Sequence, residues 1–228
     1  MIIYTKKELE KYLENDWILD LMKAESNSFQ EVRTNKWLEE IDAKRMIYAD
    51  VYGDILRGEQ TGKVLDVGGG INVLTKKLAD NCQYTLLDFL AHGGNECLEA
   101  ESTIHWINED WYETTFAHKE YDIIIANDIF PDVDQRMQIF IEKALEACKE
   151  LRLVITYYNN PQFYLTKRTD DSELMTFLSW DGEITALKLE KYLEQGAFTR
   201  ELERMKTEKE SIYRNGRQVA YVKINGKK

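Results

Sequence analysis

The chain is expected to fold as an α/β protein. The form expected is a doubly wound, seven-stranded, mostly parallel sheet with a C-terminal antiparallel hairpin and an N-terminal helical cap. Short apolar runs alternate with helix-forming stretches from residue 63 onward, which makes a parallel sheet with helices on both faces. The run Lys63-Val64-Leu65-Asp66-Val67 ends in Gly68-Gly69-Gly70. A short buried strand followed by glycines is how open α/β sheets bring their backbone close to a nucleotide. Toward the end, Asn215-Gly216 separates two strand-like runs, a strong short-range hairpin signal.

Each element has its own signal. Thr5-Lys6-Lys7-Glu8 is a capping box, and it opens a helix with Leu9, Tyr12 and Leu13 on one face. A second helix follows Thr34, with Trp37, Ile41, Tyr48, Val51 and Ile55 at roughly helical spacing. Residues 1–57 are read as the cap and 58–228 as the main domain, with no Pro/Ser-rich linker between them. Strands follow at Lys63–Val67, Gln83–Leu87, Thr103–Ile107, Tyr121–Ala126 and Leu151–Thr156, with helices from Val73, around Glu96–Glu101, and from Gln135 to Lys149. An insert at 157–182 is expected to face the substrate. A helix over 183–195 then leads to the expected hairpin of Glu203–Tyr213 and Gln218–Ile224.

Composition narrows the function. The chain has 228 residues, 43% of them hydrophobic, and two prolines, which describes a folded globular protein. A net charge of −11 repels phosphate backbones, so nucleic acid is not expected as the partner. Charge is uneven: residues 187–228 carry 11 Lys/Arg against 6 Asp/Glu. That segment reads as a solvated face or as a basic rim for an anionic substrate. Three cysteines without zinc spacing suggest reduced thiols, and no metal site is expected. Met1-Ile2-Ile3-Tyr4 runs straight into Lys6, Lys7 and Glu8, and no apolar run reaches 18 residues. A cytoplasmic protein without a membrane partner is expected.

The dinucleotide fingerprint G-x-G-x-x-G needs a glycine at position 73, which is Val73. The pattern acid-x-Gly-x-Gly is present as Asp66, Gly68 and Gly70, with Asn72 where a third glycine would stand. Asp88 closes the second strand, Asp110-Trp111 follows the third, and Asn127-Asp128-Ile129-Phe130-Pro131-Asp132 follows the fourth. With the terminal hairpin, this series over residues 58–225 resembles the class I S-adenosylmethionine-dependent methyltransferases.

That resemblance implies S-adenosylmethionine as cofactor, S-adenosylhomocysteine as product and a small-molecule acceptor methylated at oxygen or nitrogen. A protein methyltransferase and a non-catalytic relative are the alternatives. It also implies that Asp66, Gly68, Gly69 and Gly70 form the cofactor loop. Asp88, with Phe89 beside it, would take the ribose, Asp110 (or the neighbouring Glu109) with Trp111 the adenine, and Asn127 would stand near the methyl group. Methyl transfer is an in-line displacement from a good leaving group, so positioning dominates and a base is needed only where the nucleophile must lose a proton. Asp128 is the first candidate for that base, its other expected role being a helix cap. Tyr48, Asp132, Tyr157, Tyr158 and Asn159 are candidate acceptor contacts, the aromatic ones being equally suited to a core. His92, His105 and His118 are expected to be structural or solvated.

Overall fold

The computed structural model describes residues 1–90, 92–167, 174–193 and 199–227. The chain opens with a two-residue strand, β1 (Ile2–Ile3), that the sequence did not signal. Helix α1 (Lys6–Leu13) starts at the Thr5 capping box, where Glu8 accepts the Thr5 N–H at 2.7 Å. Helix α2 (Trp17–Ala24) was also unsignalled; Asp16 caps it by accepting the Leu19 N–H at 3.2 Å. The helical pattern after Thr34 is two helices, α3 (Arg33–Glu40) and α4 (Asp42–Leu56), because Ile41 is extended between them.

The main sheet then follows the expected order, with boundaries shifted by a few residues. It contains β2 (Lys63–Val67), α5 (Thr75–Asn81), β3 (Gln83–Leu87), α6 (Asn95–Glu99), β4 (His105–Ile107), β5 (Tyr121–Phe130), α7 (Met137–Ala147) and β6 (Cys148–Tyr157). The insert forms a separate antiparallel pair, β7 (Gln162–Lys167) and β8 (Leu174–Ser179). Helices α8 (Gly182–Glu190) and α9 (Thr199–Thr207) precede the last strand, β9 (Gln218–Asn225).

The seven strands lie in the order β1-β9-β6-β5-β2-β3-β4. The five from β4 across to β6 are parallel, and β9 runs antiparallel to both β6 and β1. The antiparallel C-terminal pairing is therefore present, but Glu203–Tyr213 does not supply it. Part of that stretch is helix α9, where Leu202 and Met205, three residues apart, turn toward the core. Both edges of β9 are already taken.

Side chains alternate across the sheet, so each strand feeds two cores. Val64, Tyr84, Leu86, Ile123, Ile125 and Val154 face a cluster built with α4 residues Tyr48, Val51, Tyr52 and Ile55. Leu65, Val67, Ile124, Ala126, Leu151 and Leu153 face α7 and α8. Asp66, between Leu65 and Val67, must point into the α4 face. Arg152 does the same from β6: its guanidinium donates to Asp54 on α4 at 2.6 and 2.5 Å and to the Val51 carbonyl at 2.6 Å. The helical N-terminus is thus clamped to the sheet by an ion pair whose guanidinium is buried. On the opposite side, much of the basic C-terminal segment is surface: Lys191, Lys206 and Lys227 pair with Glu142, Glu203 and Glu146.

Candidate functional site

The five parallel strands end on one side of the sheet, and β9, running backward, begins there. That crevice is where open α/β sheets bind ligands. Strand β2 delivers the glycine loop to it. Gly68 and Gly70 have φ of +64° and +62°, a conformation that side chains with a Cβ rarely adopt. A Cβ on Gly68 would also meet Ile129 at 2.5 Å, and one on Gly69 would meet the Asp66 carboxylate at 2.3 Å. Gly68 N–H donates to the Leu87 carbonyl at 2.9 Å, and Gly70 N–H donates to Asp88 Oδ2 at 2.9 Å. The loop therefore folds over the end of β3 and touches the carboxylate that closes it.

Asp88 is held from a second side, because Leu90 N–H donates to Oδ1 at 2.7 Å. Burial pushes its pKa up, and the two backbone N–H groups and His92 oppose that. Phe89 next to it is 49% exposed. Asp66, by contrast, lies beneath the loop. It is buried, accepts from Tyr52 at 3.1 Å and Tyr84 at 2.6 Å, and burial pushes its pKa up to about 7. It supports Gly69 from below and is not presented to the crevice. Tyr52 also lies beside the Asn127 side chain of β5.

Beyond β4, Asp110 accepts from the Tyr112 N–H at 2.8 Å and is ion-paired to Arg136 at 3.0 Å. Trp111 departs from expectation. Its ring is buried, edge-on to Phe130 and Phe140, and its Nε1 donates to Asp134 at 2.9 Å. With Arg136 over its face at 4.8 Å and the ring buried, Trp111 is packed as core and not open beside an adenine, which corrects that expectation.

A second cluster at the crevice centres on Asp128, in the irregular stretch of β5 where register shifts between Asn127 and Phe130, with φ of +63°. Lys44 from α4 and Arg217, just ahead of β9, each approach Oδ2 at 3.0 Å, and Thr156 at the end of β6 donates to Oδ1 at 2.8 Å. These cations hold its carboxyl well below the usual carboxylate range, although burial opposes them. A carboxylate so stabilised is a weak base, which corrects the sequence-based choice. It does not cap α7 either, which starts nine residues later at Met137.

The other candidates divide. Tyr158 and Asp132 come together, with the hydroxyl donating to Oδ2 at 3.0 Å. Tyr48 is buried, stacked on Tyr52 and bonded to Asn72, so it belongs to the α4 core and not to an acceptor pocket. Tyr157 is likewise in the core on the α7 face. Asn159 is exposed and reaches the Lys209 carbonyl at 3.3 Å, away from the cluster. His105 and His118 are exposed, and His92 packs edge-on to Trp37. Lys44, Arg217, Thr156 and Tyr52 were missed. Arg217 alone carried a hint, as part of the basic segment beside the Asn215-Gly216 turn.

The groups present fit an adenosyl ligand at one end. A backbone bare of side chains faces a carboxylate whose two oxygens each retain a lone pair after accepting one N–H. Strand order, the reversed β9 and the glycine loop after β2 together make this the fold of the class I S-adenosylmethionine-dependent methyltransferases. Solved structures agree. The PH0226 protein from Pyrococcus horikoshii OT3 is 14% identical with a TM-score of 0.55, over 87% of this chain and 95% of that one. The 1,6-didemethyltoxoflavin-N1-methyltransferase of Burkholderia thailandensis, solved with 1,6-didemethyltoxoflavin and S-adenosylhomocysteine, is 10% identical with a TM-score of 0.52, over 100% and 93%. No protein-family model matches the chain, and no curated protein matches it. Among the described residues no helix is long and apolar enough to cross a membrane.

Proposed function

We propose that this chain transfers the methyl group of S-adenosylmethionine to an oxygen or nitrogen of a small molecule. The observation that carries the reading is the contact between Gly70 N–H and the Asp88 carboxylate at the crevice end of β2 and β3. When bound, S-adenosylmethionine supplies an electrophilic methyl on a sulfonium sulfur. Gly68, Gly69 and Gly70 let the backbone approach the amino-acid portion of the ligand closely. Asp88 accepts the two ribose hydroxyls, and Phe89 offers an apolar ring beside them. Asp110 serves the adenine end, sharing its carboxylate with Arg136. Asn127, beside Tyr52, borders the methyl position.

A small acceptor suits the other end of the crevice. Side chains from α4, β5 and β6 and the lead into β9 converge there around Asp128. The strongly negative chain is a poor match for a phosphodiester polymer. The Burkholderia neighbour was solved with a small heterocyclic molecule, which supports this class without naming the acceptor here. A sugar, a sugar-nucleotide or another biosynthetic intermediate in the cytoplasm fits the reading. The test is release of labelled S-adenosylhomocysteine across a panel of hydroxyl and amine acceptors and, separately, denatured cell protein. The expected result is turnover on a small molecule, abolished by Asp88→Ala. Turnover on protein alone would replace the acceptor class, and failure to bind the donor would end the enzyme reading.

A further inference from the structure

Among the described residues five buried side-chain polar atoms have no hydrogen-bond partner, and two of them, Asp132 Oδ1 and Arg217 Nε, belong to residues around Asp128. Unmatched buried polar atoms are uncommon and costly, and one is an acceptor while the other is a donor. Their residues are held from their other sides. Tyr158 donates to Asp132 Oδ2, and Arg217 Nη2 is fixed on Asp128 with its guanidinium over the Tyr213 ring at 4.4 Å. Arg217 and Asp132 act on each other electrostatically without forming an ion pair. Both residues stand at the crevice end of the sheet, Asp132 just past β5 and Arg217 just before β9.

We propose that Asp132 takes the proton of the methyl acceptor, its Oδ1 receiving the nucleophile's O–H or N–H while Arg217 Nε holds a neighbouring oxygen of the same molecule. The acceptor class is then a hydroxyl or amine with a carbonyl or carboxylate oxygen close by. The inference rests on the methyl-transfer reading. The nucleophile's lone pair forms the bond to the methyl carbon, the carbon–sulfur bond breaks with its pair left on sulfur, and the nucleophile's proton passes to Asp132. Of the two acids at this end, Asp128 is committed to Lys44, Arg217 and Thr156, whereas Asp132 has one oxygen to spare. Burial and the Asp128 charge raise the Asp132 pKa, against Tyr158 and Arg217, so its carboxylate is the more basic of the pair. Lys44 pairs with Asp128, and Tyr213 lies under the Arg217 guanidinium.

The test is carboxyl ¹³C titration by NMR on the full-length protein saturated with S-adenosylhomocysteine, with Asp132→Asn assigning the signal. Asp132 should titrate above the exposed aspartates, and Tyr158→Phe should move its midpoint further up by removing a donor to the anion. A midpoint at or below those of exposed aspartates would overturn the proposal. In turnover on an acceptor found by the donor-release panel, Asp132→Asn should lower kcat by about 100-fold or more with little change in KM. It should leave S-adenosylhomocysteine affinity intact. Turnover within threefold of the parent would also overturn it. Loss of S-adenosylhomocysteine binding by the unsubstituted chain would instead defeat the methyl-transfer reading.

Discussion

Asp66 shows how the strand face a residue occupies sets what it touches. Its position after Leu65 fixes the face it occupies, but that face belongs to α4, where Tyr52 and Tyr84 already donate to it. Burial raises its pKa to about 7, so the fold prefers the protonated acid. Its contribution to stability is fully present below the unfolded carboxylate pKa and is lost as pH rises through about 7. Asp66→Asn should therefore stabilise the protein relative to the parent by an amount that grows from about pH 4 up to about pH 7 and then levels off. Thermal melts across that range check this, and a pH-independent difference would contradict it. Asp88 was legible because a strand end leaves an acid one place to go. Trp111 was not, because an indole after a strand suits a ligand or a core equally well until the facing rings of Phe130 and Phe140 are known.

Helix α4 does more for the site than its sequence announced. It supplies Lys44 to Asp128, Tyr52 to Asp66 and Asp54 to Arg152. The last pair decides how firmly the helix sits, since the Arg152 side chain is 2% exposed. Asp54→Ala leaves a buried guanidinium short of its main partner and should cost about 2–3 kcal/mol in urea unfolding. Adding Arg152→Met should recover part of that loss, because the buried guanidinium, left with Glu150 as its carboxylate partner, leaves with it. A double variant less stable than Asp54→Ala would contradict the clamp. The alternating elements from β2 to β6 were readable because apolar runs and helical stretches differ in period. The stretch 203–213 was not, since its fate depends on whether β9 has an edge to offer. Strands β6 and β1 occupy both edges, and β1 is only two residues long, too short to signal itself.

At the scale of the molecule, the proposed cofactor half and acceptor half of the crevice differ in how they are encoded. The cofactor half is local: the glycine loop and Asp88 end neighbouring strands, and a backbone turn with an acid opposite it leaves a pattern in sequence. The acceptor half joins Lys44, Asp128, Thr156 and Arg217 from four distant segments, and nothing in their spacing announces that they meet. Only the tertiary fold brings two cations onto Asp128 and leaves Asp132 as the acid with an unmatched oxygen. The central claim lies in the cofactor half, and calorimetric titration with S-adenosylhomocysteine tests it most directly. The unsubstituted chain should bind one equivalent, and Asp88→Ala should bind at least about tenfold more weakly, the loss of about 1.4 kcal/mol expected for removing a charged hydrogen-bond acceptor. No heat of binding from the unsubstituted chain, or equal affinity in the two proteins, would contradict the account.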